Sequence, residues 1–349
     1  MVSSLLACVS SAAGCSSVQY LYQAGKGQLE IQNKAKPIDD VIRDETTPPR
    51  IRELLAEIPK IKKFGESQGL KATPNYREYV KLNRAAASWV VSACAPLKFE
   101  PKTWSFPIVG SFSYLGWFSL DDAKKYAAEL RQAGWDVDLR GASAYSTLGW
   151  FRDPVLSSML SDGDSARGDL VNVVLHESTH ATLYIGGQSS FNESLAEFVA
   201  GKMTSQYFET LARSPDARER EQTLKASKAY LDSEKRGDEI EKRLHDAYEV
   251  LDKLYGSAKP DSEKLAEKKE LLAKLKDKLG FKREINNATL IGYRTYNTGL
   301  DSFERLYKAC QEDWRRFFAV LSKLSSRSFQ ASQQTDLEPI LGPLSSQCR

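Results

Sequence analysis

Most of this 349-residue chain carries apolar residues at the three- and four-residue spacing of helices. Residues 18–70 follow this period, and Pro48 and Pro49 occupy the first-turn position that helices favour for proline. The apolar positions that follow the prolines are Ile51, Leu54, Leu55, Ile58 and Ile61. Residues 18–70 are therefore predicted to form helices.

Three short apolar runs with aromatic or β-branched residues interrupt the helical pattern and are typical of strands. They are residues 87–94, 104–112 and 135–139. Between the last two, Leu120 to Ala133 has the spacing of an amphipathic helix that starts at Ser119 or Asp121. The pattern predicts an α+β body in which a small sheet precedes a helix capped by Asp169.

Residues 212–283 differ in composition, being rich in Lys, Glu, Asp, Ala and Leu. Two apolar stripes at helical spacing run from Ile240 to Leu254 and from Leu265 to Leu279, and a break with Gly and Pro separates them. The segment is predicted to form a long antiparallel helical hairpin, called the arm below. Two interpretations stay open: a solvated structural arm, and a lid or docking surface for a protein partner.

Two of the three histidines lie in His176-Glu177-Ser178-Thr179-His180, after an apolar run from Leu170 to Leu175 that predicts a buried helix. Residues four apart lie on one face of a helix, so both imidazoles can bind one metal ion. The glutamate after the first histidine can then reach a metal-bound water, which explains why H-E-x-x-H marks zinc peptidases. Because buried polar atoms need partners, burial favours a metal site over an exposed helix that carries these residues incidentally.

A catalytic zinc ion typically keeps three protein ligands and one open position. The third histidine, His245, lies in a charged stretch that is typical of a solvated helix face, so a carboxylate is the better candidate. Gly186 and Gly187 can end the first helix and reverse the chain, because glycine adopts positive φ without penalty. A second helix is then predicted to start near Ser190 and to run back past the first.

Two acidic residues of this second helix lie one turn apart on one face, Glu193 in the first turn and Glu197 in the next. A capping box with Ser190 as N-cap is one interpretation of Glu193. Its place shortly after H-E-x-x-H, with a glycine reversal between, favours Glu193 as the third metal ligand. Glu197 then suits a partner that accepts the free N–H of a ligating histidine and fixes its tautomer.

The combination of His176 to His180 with Asn192-Glu193 and Ala196 resembles the gluzincin pattern of metallopeptidases. The resemblance implies a zincin-like fold, one Zn²⁺ ion, Glu193 as the third zinc ligand, and an acidic residue, here Glu197, that orients a histidine. The loop between the motifs is shorter than in the thermolysin-like and large aminopeptidase branches. The resemblance to those branches is therefore limited to these residues.

From Cys15 to about Leu324 the chain is similar to a family of bacterial proteins that are predicted lipoproteins. Their activity as zinc aminopeptidases is inferred from their sequences. The matching motifs, besides the two metal motifs, are Gly14-Cys15, Tyr22-Gln23-Ala24, Gly27-Gln28-Leu29, Phe106 to Gly110, Ala144 to Phe151, Asp153-Pro154, and Asn286-Asn287-Ala288 with Tyr296. This resemblance implies a peptide substrate and aminopeptidase activity, with endopeptidase activity left open.

Polar and aromatic residues return after the arm, from Asn286 to Tyr296, and are expected near the metal. Peptidases of this kind stabilise the tetrahedral oxyanion with a Tyr, His or Arg donor. Tyr296 is the first candidate and Tyr293 the second, and a core tyrosine with a satisfied hydroxyl is the alternative. In the expected reaction, Glu177 takes a proton from the attacking water and passes it to the leaving amine.

Ala144 to Trp150 is predicted to be either an edge strand that binds the peptide main chain or a buried strand.

Ala12-Ala13-Gly14-Cys15 resembles a bacterial lipobox, and the apolar stretch before it is too short to span a membrane. Residues 1–15 are interpreted as a signal peptide, with Cys15 acylated so that lipid anchors the protein to a membrane. Ser16 is compatible with sorting to the outer membrane of the bacterial envelope, facing the periplasm. The alternatives are Cys8 as the acylated residue and a cytosolic N-terminus.

Charges of both signs are interspersed and the net charge is +3, so nucleic acid is not expected as a partner. Cys94, Cys310 and Cys348 remain after the predicted processing, and they allow one disulfide whose pairing stays open. The predicted division is a signal peptide (1–15), an α+β catalytic core (16–211), the arm (212–283) and a C-terminal helical part of the core (284–349). The alternative function is a non-catalytic envelope lipoprotein, a binding or scaffold protein with a structural metal site.

Overall fold

A computed structural model describes residues 9–106, 110–145, 147, 151–297 and 299–348 of the chain. The side chains of residues 9–19 and 294–297 lie outside this description, and with them those of Cys15 and Tyr296. The described residues form mainly helices together with three small sheets. The predicted α+β class, mostly helical, is therefore confirmed.

The helices are α1 (Val9–Lys34), α2 (Ile38–Arg43), α3 (Pro49–Ser67), α4 (Leu120–Gln132), α5 (Ala166–Thr182), α6 (Ser189–Leu211), α7 (Ala217–Tyr255), α8 (Asp261–Leu279), α9 (Asn287–Asn297), α10 (Leu300–Ala309), α11 (Trp314–Leu321) and α12 (Glu338–Leu341). The strands are β1 (Lys36–Pro37), β2 (Glu78–Val80), β3 (Ser88–Cys94), β4 (Trp104–Phe106), β5 (Gly110–Phe112), β6 (Tyr114–Trp117), β7 (Asp136–Ala142) and β8 (Val155–Leu156).

The sheet that bears on the site is antiparallel and has the strand order β6–β3–β7. Helix α4 covers one of its faces, and a buried cluster that includes Val91, Leu115 and Leu130 joins the helix to the sheet. Ser119 is the N-cap of α4, because its hydroxyl accepts a hydrogen bond from the N–H of Asp122. The other two sheets have the orders β1–β2–β8 and β4–β5.

The prediction of one strand over residues 104–112 is wrong. The described residues there form two strands, β4 and β5, which pair antiparallel with Phe106 opposite Gly110. A continuous ladder is unfavourable in this sequence because Pro107 has no N–H to donate. Residues 107–109 themselves lie outside the described residues.

The predicted edge strand over Ala144–Trp150 is covered only in part. Ala144, Tyr145 and Thr147 belong to no strand, and the remaining positions lie outside the described residues. A role of this segment in binding substrate main chain therefore stays a prediction.

Helices α5 and α6 lie side by side within the main hydrophobic core, together with residues of α3, α10 and α11. Leu170 and Leu175 of α5 and Phe191 and Leu195 of α6 are almost fully buried. A helix that is apolar on most sides is stable only when it is enclosed, as predicted for the helix of the H-E-x-x-H motif.

No helix within the described part of the chain is long and apolar enough to cross a bilayer.

Helix α5 starts about one turn earlier than predicted, and Asp169 is not its N-cap. The Asp169 carboxylate instead accepts hydrogen bonds from the hydroxyls of Ser161 and Ser165, inside the first turn, where negative charge is favourable. Gly168 in the same turn allows α7 to approach closely. A Cβ atom at Gly168 would lie 2.4 Å from the Cβ of Tyr230.

The arm consists of α7 and α8, which pack through Leu244, Leu251 and Leu272. It does not stand apart from the rest of the chain, because α7 also packs against α5, α6 and α9. The buried ammonium of Lys268 in α8 binds the carboxylate of Asp136 in β7 at 2.5 Å. A docking or lid role of the arm, and the division into domains, stay predictions.

A disulfide joins Cys310, directly after α10, to Cys348, with Cα atoms 4.7 Å apart. Cys94 is buried and is not disulfide-bonded. The pairing that the sequence left open is therefore Cys310 with Cys348. Disulfides persist mainly in oxidising compartments.

Candidate metal centre

The two histidines of the H-E-x-x-H motif lie one turn apart on α5 and converge on one point, as their spacing predicts. The Nε2 atoms of His176 and His180 are 3.2 Å apart, and their rings stand nearly perpendicular, at 82°. The two side chains are 13% and 7% exposed. The pair is thus largely shielded from bulk water.

Glu193 of α6 completes the group. Its Oε2 lies 3.4 Å from Nε2 of His176 and 3.5 Å from Nε2 of His180. Ligand atoms placed about 2.0–2.1 Å from a tetrahedral zinc ion are about 3.3–3.4 Å apart. The three atoms therefore form a triangle with the dimensions of one face of such a tetrahedron, and these residues could hold a metal ion.

The short loop between α5 and α6 decides where Glu193 lies. Gly187 in this loop has a φ of +79°, the positive value expected for the reversal. The buried side chain of Asn192 accepts a hydrogen bond from the N–H of Ile185 and donates one to its C=O, both at 2.8 Å. Asn192 therefore satisfies both backbone groups of a buried loop residue and fixes the loop to the start of α6.

The capping-box interpretation of Glu193 is wrong. Helix α6 starts at Ser189, with Gln188 in the N-cap position and no side chain capping it. Glu193 consequently lies beyond the third position of the helix. Its carboxylate faces the two histidines instead of the helix N-terminus.

Glu177 is buried, and its Oε2 has no hydrogen-bond partner among the described residues. Burial raises the pKa of Glu177 to about 7, opposed by His176 and reinforced by Glu193 and Asp153. A buried carboxyl oxygen without a hydrogen-bond partner is unfavourable for folding, and buried groups with raised pKa values concentrate at functional sites. A carboxyl with this pKa can accept and release a proton near neutral pH.

Glu193 and Glu197 differ in their environment although they lie one turn apart. Burial by itself would raise the pKa of Glu193, but His180 and His176 together hold it well below its usual range. Glu193 is therefore ionised, as a metal ligand must be. The Oε2 of Glu197 lies 3.8 Å from Nδ1 of His176, too far for a hydrogen bond, so its orienting role stays a prediction.

Two tyrosines that the sequence did not single out flank Glu193. The hydroxyl of Tyr114, at the start of β6, donates a hydrogen bond of 2.9 Å to Oε1 of Glu193. Tyr184, in the loop after α5, has its ring centre 6.3 Å from that of His180. Burial, and next the charge of Glu193, raises the pKa of Tyr184 to about 12, so its hydroxyl keeps its proton.

The other predicted residues lie as follows. Tyr293 of α9 lines a cleft beside the metal ligands, whereas the side chain of Tyr296 lies outside the described residues. The role of Tyr296 as oxyanion donor therefore stays a prediction. His245 is exposed on α7 and stacks on Tyr248, away from the group formed by the other two histidines.

The cleft beside the metal ligands is open to solvent, encloses about 830 Å³ including its mouth, and has one acidic wall. This wall consists of Glu197 of α6 and Glu234, Asp238 and Glu241 of α7, and a fifth acidic residue, Asp138 of β7, also lines the cleft. Burial, followed by the charges of Asp238 and Glu197, raises the pKa of Glu241 to about 7. A bound cation would relieve the repulsion between these carboxylates. Arg140 and Arg283 also line the cleft, and Arg283 is paired with Asp138.

Comparison with known families is consistent with this geometry. The chain matches a family model described as "Putative aminopeptidase" over residues 19–336. Because the match covers most of its length, the chain belongs to this family, and the resemblance found in the sequence is confirmed. No curated protein and no solved structure matches the chain. Membership of the family supports peptidase activity and leaves the metal unidentified.

Proposed function

We propose that this protein is a zinc-dependent peptidase that acts as an aminopeptidase. The observation that carries the proposal is the triangle of ligand atoms from His176, His180 and Glu193. Glu177, on the same helix as the two histidines, adds a buried carboxyl whose Oε2 has no hydrogen-bond partner among the described residues. Family membership supports the peptidase activity. The pairing of an H-E-x-x-H helix with a second helix that carries the carboxylate, close to a small sheet, supports a zincin-like architecture.

Zinc fits the donor set of this centre. Two imidazoles and one carboxylate at tetrahedral spacing leave one position open, which is the arrangement of a catalytic zinc site. When bound, zinc supplies Lewis-acid activation of a water molecule and of the scissile carbonyl. Glu177 accepts the proton that the attacking water loses and delivers it to the leaving amine. Its pKa of about 7 suits both transfers.

Action at a free N-terminus is supported by the acidic cleft. The ammonium group of an N-terminal residue is two bonds from the carbonyl carbon of the first peptide bond, so it must bind close to the metal. Glu197 contributes to the cleft and also lies beside His176, which links the acidic wall to the reaction centre. Carboxylates that repel one another bind an ammonium group favourably.

Peptides with free N-termini are expected to be hydrolysed about 10- to 100-fold faster, as kcat/KM, than the same peptides acetylated at the N-terminus. The basis is the loss of a charged hydrogen bond, which contributes roughly 1.5–3 kcal/mol. Rates on matched pairs of short peptides measure the difference. Asp238→Asn combined with Glu241→Gln should reduce the difference between free and acetylated peptides by raising KM for the free peptides. Glu209→Gln, at an exposed position of α6, should leave the difference unchanged.

Two outcomes would contradict different parts of the proposal. Equal rates on free and acetylated peptides would remove the aminopeptidase assignment and favour endopeptidase action. Absence of zinc by elemental analysis, together with no hydrolysis of any peptide, would contradict the assignment as an enzyme and favour a scaffold lipoprotein.

We also propose that the protein is an outer-membrane lipoprotein that faces the periplasm and is anchored through acylated Cys15. The disulfide between Cys310 and Cys348 supports an oxidising compartment. Mass spectrometry of the N-terminal fragment is expected to find Cys15 as the first residue, with attached acyl chains, and Cys15→Ser should abolish membrane association. An unmodified N-terminus in the cytosolic fraction would contradict the proposal.

A further inference from the structure

Strand β6 connects the sheet to the metal centre through one side chain. Leu115 and Trp117 of β6 are buried and pack towards α4. Side chains alternate along a strand, so Tyr114 lies on the opposite face of the sheet. Pairing of Tyr114 with Ser92 of β3 fixes its position along the strand.

The two oxygens of Glu193 have different partners. Oε2 lies 3.4 and 3.5 Å from the two histidine Nε2 atoms, and Oε1 accepts the hydrogen bond of 2.9 Å from the Tyr114 hydroxyl. An ionised carboxylate can only accept, so the hydroxyl must be the donor. A carboxylate with both oxygens free can bind a metal through either one or through both. The hydrogen bond removes this freedom.

We propose that Tyr114 is a positioning residue that holds Glu193 in one-oxygen coordination of the metal. With Oε1 held by the phenol, only Oε2 would face a bound metal ion, and a fourth position would stay open for the water that the reaction needs. The inference rests on the proposed metal site and does not require that the protein hydrolyse peptides. Hydrogen-bond partners of this kind orient metal ligands, and their loss typically weakens metal binding by about 10- to 100-fold.

The test is the zinc affinity of Tyr114→Phe, measured by competition with a chelator. The variant keeps the ring and loses only the hydroxyl, so the fold should be retained, which circular dichroism and thermal unfolding of the metal-free protein will show. Zinc affinity is expected to fall by about 10- to 100-fold. The visible spectrum of the Co²⁺-substituted variant should become weaker, because absorption falls when a second carboxylate oxygen raises the coordination number.

A matched control and a double variant separate positioning from general destabilisation. Tyr126 of α4 packs on the opposite face of the sheet from Tyr114, and its hydroxyl accepts a hydrogen bond from Trp104. Tyr126→Phe removes this hydroxyl. This control should keep wild-type zinc affinity and spectrum. In a Glu193→Gln background, Tyr114→Phe should cause no further loss of affinity, because the two changes then act on one interaction.

The inference would be overturned if Tyr114→Phe kept both the zinc affinity and the Co²⁺ spectrum of the wild type. It would also be overturned if the losses in Glu193→Gln and Tyr114→Phe were additive. Both readings are taken without a peptide, so a protein that binds zinc and cleaves nothing would contradict the proposed function and leave this test intact.

Discussion

Glu177→Gln is expected to lower kcat by about 10²–10⁴-fold, the usual contribution of a general base, while the protein still binds one zinc ion per chain. Glutamine has nearly the same shape and cannot accept the proton. Glu177 lies between the two histidines in sequence but is not one of the three converging ligands, so the metal site should persist. The Oε2 atom of Glu177 lacks a hydrogen-bond partner among the described residues, so the variant breaks no described hydrogen bond at this atom.

Steady-state kinetics on the best free peptide, paired with elemental analysis of the same samples, measures this effect. Glu209→Gln makes the same chemical change at an exposed position of α6 and should leave kcat and zinc content unchanged. Full activity of Glu177→Gln would remove Glu177 as the base. Loss of zinc from this variant would instead assign Glu177 to metal binding.

The three converging residues could be predicted from the sequence because short-range geometry controls them. His176 and His180 must share a face once α5 forms, and Glu193 follows after a short loop that reverses the chain. The glycine at position 187 marked that reversal, and its positive φ agrees. The start of α5 was less predictable, since Ser and Asp are both common at a helix N-cap and the helix begins after Ser165 without a side-chain cap.

Contacts that depend on the folded path of the chain could not be predicted. Tyr114 precedes Glu193 by 79 residues, and only the register of β6 against β3 brings its hydroxyl to that carboxylate. Asn192 was part of a recognised motif, but its two hydrogen bonds to Ile185 depend on the path of the loop. A single sequence carries no signal for either contact.

The acidic wall of the cleft could not be predicted from the sequence for a different reason. Glu234, Asp238 and Glu241 belong to a helix that is charged on most of its surface, and such a helix is normally solvated. Packing of α7 against α5 and α6 brings these three carboxylates close to Glu197. The arm therefore contributes to the candidate site, although its sequence resembles that of a structural helix.

Glu193 and Glu197 of α6 are expected to differ strongly in their contribution to zinc binding. Glu193→Gln is expected to weaken zinc binding by more than about 100-fold and to abolish hydrolysis. A loss of about 100-fold is the most that usually follows when a residue that only orients a metal ligand is removed. Glutamine keeps the shape but removes the charge that the site offers to a cation. Glu197→Gln makes the same change one turn later, where the carboxylate is 3.8 Å from Nδ1 of His176 and is not one of the converging ligands.

The pair of variants distinguishes a metal ligand from an acidic residue that is merely close. Chelator competition should place the zinc affinity of Glu197→Gln within about 100-fold of the wild type and that of Glu193→Gln well below it. Both carboxylates lie on α6 and face His176, so a general loss of negative charge would weaken the two variants equally. Equal affinities, or stoichiometric zinc in Glu193→Gln, would mean that the triangle of ligand atoms is not the metal site.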